Sequence, residues 1–285
     1  MPRGVDPADE ALIQGQLWTP RQLPTLVGWF DADDPLTVYG ATTGGSLVTT
    51  QGGTVKRWED KSGRGNHATQ SDNAAPKLQI TSGTLNNKRV LAFTRLVLTS
   101  TTMMLQIPSS ADFDPTLLSV CCLIRSSQTG NNLGVIGRWQ GVERSWALLH
   151  RDATNGRPLA SVRNSTETAS FAASSPAGTT VTDGNPRLIG MEAVSGGTLR
   201  LFVNGNESGS TAQSSERSGT SFITIGAYGD DNTGLTGDIA EVLLWRAVGA
   251  EDRQKVEGYL AWKWGVRNTL YPGHQYINRA PTLGD

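Results

Sequence analysis

No stretch of this 285-residue chain is apolar for long enough to cross a bilayer. Its opening, MPRGVDPADEALIQGQ, lacks the basic-then-apolar layout of a secretory leader, so synthesis and folding in the cytoplasm are expected. An excess of one charge is also missing. With 25 Lys and Arg against 26 Asp and Glu, the net charge is −1, so no general field draws phosphates and nucleic acid is not an expected partner. Cysteine is scarce. Cys121 and Cys122 are adjacent, and on a strand their side chains point to opposite faces. A bond between them would be strained, so two reduced, buried thiols are expected. Neither has a neighbouring histidine that would mark a nucleophile and base. The three histidines, His67, His150 and His274, have no second His or Cys at ligand spacing, which argues against zinc. His67 is expected to hydrogen-bond within its own loop.

What the chain does contain is glycine, 33 of them, set between short apolar segments. That is the punctuation of a meandering all-β protein. The clearest signal lies in residues 237–264. Ile239, Val242, Leu244 and Trp245 do not alternate with polar residues, as in a strand buried on both faces. Val256, Tyr259, Leu260 and Trp264 then fall at helical spacing behind an acidic first turn, with Gly265 as the stop. This predicts a single late helix covering an edge or open end of a sandwich. Residues 117–125 (LLSVCCLIR) predict a central strand. Residues 198–203 alternate strictly, and Asn204-Gly205 after them predicts a two-residue hairpin. About a dozen such strands predict a two-sheet antiparallel jelly roll. One domain over residues 21–270 is expected, with an N-terminal arm, 1–20, interrupted by Pro2, Gly4, Pro7 and Pro20, and a C-terminal tail, 271–285.

An ordered set of motifs resembles the concanavalin A-like, or laminin-G-like, jelly rolls. It comprises Trp29-Phe30-Asp31-Ala32-Asp33, the string WEDKSGRGNHA at 58–68, LRLFVNG at 199–205, GDIAEVLLW at 237–245 and EGYLAWKWG at 257–265. The last string, followed by YPGHQY, is similar to modules of tailed-phage structural proteins. The resemblance implies a place on a virion, in capsid decoration, a head fibre or a tail fibre. In that setting, contacts with other virion proteins through the arm and a homo-oligomer are expected. The resemblance does not fix a ligand, because the same fold serves lectins, glycosidases and scaffolds.

The residues argue against catalysis. A retaining glycosidase needs two carboxyl groups about 5 Å apart, hence two or four residues apart on a strand. Glu59 and Asp60 are adjacent, and Asp238 and Glu241 are three apart, so in regular strands each pair faces opposite ways. No enzyme is expected, and a glycoside hydrolase is a remote alternative. Asp31 and Asp33, and better Asp230, Asp231 and Asn232 between Gly229 and Gly234, offer oxygen donors of the kind calcium takes. For both sets the preferred reading is an Asx-capped turn, with no cofactor. Arg138 and Trp139, flanked by Gly137 and Gly141 in an expected loop, suit stacking on a sugar or a protein contact, with Trp139 folded back on the sandwich as the equal alternative, and Asp230, Asp231 and Asn232 form a candidate ligand loop. A carbohydrate-binding lectin for host recognition is therefore the alternative to a purely structural virion protein that adheres weakly to cell-surface glycan.

Overall fold

The computed structural model describes residues 16–72, 74–96, 101–129, 133–141, 143–151, 156–166, 170–213, 216–229 and 234–285. They form the expected all-β jelly-roll sandwich. One sheet runs in the order Asn206–Ala212, Thr198–Val203, Pro186–Val194, Leu117–Arg125, Gly237–Trp245, Lys88–Phe93 and Lys77–Ser82, with Leu26–Asp31 also paired to Gly237–Trp245. The other runs Ser170–Ser174, Leu159–Arg163, Glu143–Arg151, Leu133–Gln140, Ile223–Ile225, Leu105–Ile107, Ala68–Thr69, Arg57–Trp58 and Val38–Tyr39. All pairings are antiparallel, so short turns suffice to join neighbours. The hairpin after Thr198–Val203 turns at Asn204 and Gly205, with φ of 51° and 78°. Both values are left-handed, as a turn matching the twist of its strands requires.

Two apolar clusters follow from the alternation. Leu118, Val120, Cys122 and Ile124 face the inter-sheet core with Trp58, Trp146, Ile136 and Val242. Cys121 and Leu123 face the other way, against Trp29, Leu243 and Trp245. Burial pushes both thiols up, so they stay protonated and inert.

The one α-helix among the described residues, α1 (Ala250–Lys263), ends at Gly265 with φ 70°, and the Val266 amide donates to the Ala261 carbonyl at 2.8 Å. It does not cap an edge or an open end. It lies across the middle of the first sheet, where Val256, Leu260, Ala261 and Trp264 pack on Trp29, Cys121, Leu123 and Leu243. The reason is positional. Gly237–Trp245 is an inner strand with apolar side chains on both faces, and α1, with Trp18, Leu23, Val266 and Leu270 beside it, covers the face turned from the second sheet. Burying each aliphatic side chain there contributes about 1.5–3 kcal/mol.

Residues 271–285, expected as a patternless tail, pack on the helix. Gly258 leaves room for Tyr276, since a Cβ there would lie 2.6 Å from the Tyr276 Cβ. The Trp262 indole N–H donates to the Tyr276 carbonyl at 2.8 Å. The Tyr276 amide donates to His274 Nδ1, so His274 Nε2 carries the proton and donates to Glu257 at 3.1 Å. The returning chain also holds residues 16–18. The Trp18 amide donates to Pro281 and the Leu283 amide to Gln16. These contacts are long-range and leave no local pattern.

Candidate ligand-binding site

Four of the five motifs that carry the resemblance, those at 29–33, 58–68, 237–245 and 257–265, meet at one buried point, and that point is structural. Glu241 opposes Asp31 across the pair of strands Leu26–Asp31 and Gly237–Trp245. Its Oε1 accepts from the Trp29 indole at 2.6 Å and the Tyr259 hydroxyl at 3.0 Å. Its Oε2 accepts from the Trp264 indole and the Lys263 ammonium, both at 2.7 Å. Lys263 also reaches Asp31 at 2.6 Å, and Lys61 bridges Asp31 at 2.8 Å and Asp34 at 2.7 Å. Burial, then repulsion from Asp31, pushes the Glu241 carboxyl up, while Lys263 and the Trp264 indole oppose that. Asp60 pins the neighbouring loop, accepting from the amides of Trp29, Ser62 and Asn66. The Asp60 amide in turn donates to His67 Nδ1 at 3.1 Å, inside the loop as expected.

Asp238 and Glu241 are not on opposite faces. Leu123 opposes Glu241 and Ile124 opposes Ile239, so Ala240 is an extra residue, a bulge that resets the alternation. Both carboxylates therefore face α1's side of the sheet, yet each already holds a cation, Arg125 for Asp238 and Lys263 for Glu241. The calcium candidates at the strand end are likewise taken up: Asp31 by Lys61 and Lys263, Asp33 by Lys88 at 2.6 Å and Asp34 by Lys61. Among the described residues no group of three or more His, Cys, Asp or Glu could hold a metal ion. Asp230, Asp231 and Asn232 lie outside the described residues.

Arg138 and Trp139 belong to the strand Leu133–Gln140, not to a loop, and alternation sends them to opposite faces. Arg138 is fully buried. It donates to Asp114 at 2.6 Å, to the Gly219 carbonyl at 2.7 Å and to the Ser110 carbonyl at 2.6 Å, so it cannot meet a ligand. Trp139 is half-buried. Its cross-strand partner is Arg144, because a bulge at Ser145 separates the pairs Arg138–Trp146 and Trp139–Arg144. The Arg144 guanidinium carbon sits 5.9 Å from the Trp139 ring centroid.

A third group joins them that the sequence did not reveal. Tyr228 packs edge-on to Trp139, with ring centroids 6.3 Å apart at 64°. Two glycines allow it: a Cβ on Gly134 would lie 2.4 Å from the Tyr228 nitrogen, and one on Gly229 would lie 2.3 Å from the Trp139 carbonyl oxygen. Gly229 thus touches Trp139 and immediately precedes residues 230–233. Burial raises the Tyr228 phenol, so its hydroxyl stays protonated. Among the described residues neither that hydroxyl nor the Trp139 indole N–H has a hydrogen-bond partner. The indole, the phenol and the exposed Arg144 guanidinium lie together with polar hydrogens that have no partner among the described residues, a set of groups suited to stacking on and hydrogen-bonding a polyhydroxy ring. The only sequence hint of Tyr228 was its place before the Gly229–Gly234 turn.

No family model and no curated protein matches the chain. Solved structures do. The binding domain of Paraclostridial Mosquitocidal Protein 1 superposes with a TM-score of 0.59 at 9% identity, over 82% of this chain and 52% of that one. Domain 4 of AbnA, a GH43 extracellular arabinanase from Geobacillus stearothermophilus, solved with arabinotriose, superposes at 0.55 with 10% identity, over 79% and 94%. The binding domain of botulinum neurotoxin DC in complex with SialylT superposes at 0.51 with 10% identity, over 83% and 52%. The chain spans about half the length of the toxin binding domains it matches. At such identities the likeness establishes the sandwich fold alone.

Proposed function

We propose that this chain is a non-catalytic carbohydrate-binding module whose sugar stacks on Trp139 and Tyr228. The observation that carries the proposal is the pairing of two half-buried aromatic rings, whose polar hydrogens have no partner among the described residues, beside the exposed Arg144. The arabinotriose complex of a similar sandwich domain supports the same class of ligand. Non-catalytic action is supported by the engagement of Asp238 and Glu241 with Arg125 and Lys263. On a broad glycan array the protein is expected to bind a restricted set of glycans. Calorimetry on those hits is expected to show at least ~10-fold weaker binding for Trp139→Ala, with Trp139→Phe largely retaining it. A flat response across the array would overturn the proposal, and sugar released from β-glucan would overturn its non-catalytic part.

A second reading, compatible with the first, places the module on a virion. It draws on the phage-type motifs at 257–276 and on one structural observation. Leu17, 65% exposed, stands at the root of the N-terminal segment beside an apolar groove of about 390 Å³ lined by Trp18, Tyr259 and Trp262. Such a groove suits contact with neighbouring particle proteins. Removing residues 1–15 is expected to abolish incorporation into particles while leaving the thermal melt unchanged. Full incorporation of the truncated chain would dismiss this reading.

A further inference from the structure

A second cavity, of about 310 Å³, opens between the segment leading into Leu26–Asp31 and the loop after Asp60. Its character is opposite to that of the aromatic platform. Arg21, Lys61 and Arg64 line it, with Ser62, Leu23 and Pro24. Three cations on one small concavity stand out in a chain of net charge −1.

The neighbouring acids do not cancel them at the cavity mouth. Asp31 and Asp34 are bound to Lys61 from beneath, and Asp31 also to Lys263. Asp60 is buried and occupied by three amides and the Ser62 hydroxyl. Lys61 is therefore neutralised. Arg21 and Arg64 are exposed, and neither guanidinium has an ion pair or hydrogen bond among the described residues. Arg21 is held toward the cavity by the buried Trp29 ring, 5.9 Å from its centroid, and Lys61 lies 4.4 Å from the same ring. Two unspent forks, each able to take an oxyanion through paired N–H groups, thus flank a cavity walled on one side by Leu23 and Pro24. A carboxylate matches the forks, and the C–H face of a ring matches the apolar wall.

We infer that the Arg21–Arg64 cavity binds the carboxylate of an acidic sugar, a uronic or similar residue. The inference rests on the carbohydrate-binding reading and assigns the ligand a charge, to be recognised by Arg21 and Arg64 and not by the Trp139 platform.

The test titrates the full chain with a glucuronate-terminated oligosaccharide and with its neutral, glucose-terminated counterpart, at about 20 and about 500 mM salt. Wild type, Arg21→Ala/Arg64→Ala and Trp139→Ala are compared, and a thermal melt confirms that each is folded. Both arginines are exposed, so their removal leaves the core intact. Wild type is expected to bind the acidic oligosaccharide at least ~10-fold more tightly than the neutral one at low salt, and the double variant to lose that preference. Salt is expected to erase it in wild type. Equal binding of both sugars, abolished by Trp139→Ala, would overturn the acidic-sugar inference and leave the carbohydrate reading standing. Binding of neither sugar by any variant would bring down both. Displacement of the acidic sugar by inorganic phosphate at equal concentration would also overturn the assignment, in favour of a plain anion site.

Discussion

Replacing Glu241 by alanine is expected to lower the unfolding free energy by about 3–5 kcal/mol, the cost of removing one partner from a buried ion pair. The side chain is fully buried and accepts from four donors: the Trp29 and Trp264 indoles, the Tyr259 hydroxyl and the Lys263 ammonium. Without it, Lys263 keeps Asp31 at 2.6 Å, but two indoles and a phenol are left without an acceptor under the helix. Glu241→Gln preserves the volume but turns an N–H₂ group toward donors, so it is expected to fall between wild type and alanine. Urea unfolding followed by tryptophan fluorescence measures both. A shift within about 0.5 kcal/mol for Glu241→Ala would show that the cluster is not what fastens the helix to the sheet. The loss would take a large share of the 5–15 kcal/mol typical of a folded domain, so reduced soluble yield is expected as well.

The second large effect is expected at Arg138. Arg138→Leu should destabilise by about 3 kcal/mol, because it strands the Ser110 and Gly219 carbonyls and the Asp114 carboxylate that the guanidinium now satisfies. Asp114 is 18% exposed and recovers some solvation, which keeps the cost below that at Glu241. Burial pulls the Arg138 pKa down and Asp114 opposes it, so the charge is retained. Arg138→Lys should recover little, since a single ammonium cannot reach all three acceptors in the fork geometry. The same variant separates two roles. A structural arginine lowers the melting temperature and leaves glycan affinity per folded molecule unchanged. A ligand contact would do the reverse, and that outcome would return Arg138 to the site beside Trp139.

Much of the architecture is written in short-range pattern. Residues 117–125 and 239–245 carry apolar side chains at consecutive positions, and both became inner strands of the first sheet. The change to helical spacing after Gly249, with Gly265 as terminator, located α1. Asn204-Gly205 located a hairpin because only a turn with two left-handed residues suits that pair. The aspartates at 31, 33 and 34 were visible as a cluster, but the lysines that occupy them come from 61, 88 and 263, far away in sequence.

The binding surface was less legible. Trp139 was singled out by its neighbours in the chain, and so was Arg138, yet strand alternation divides the two. Arg144 reaches the face of Trp139 only through the bulge at Ser145, and Tyr228 only because Gly134 and Gly229 admit a crossing segment. The bulge at Ala240 likewise brought Asp238 and Glu241 to one face, against the expectation from their spacing.

The stretch from Gly237 to Gly265 shows the division most clearly. Its sequence alone determined a doubly buried strand followed by one helix, because periodicity and capping act between residues a few positions apart. Only the tertiary structure decided that the helix lies across the middle of the sheet. It also decided that Glu241 is the acceptor binding four donors there, and that Arg21 and Arg64 share one cavity. Those outcomes depend on register, bulges and strand order, which are set by partners tens to hundreds of residues away.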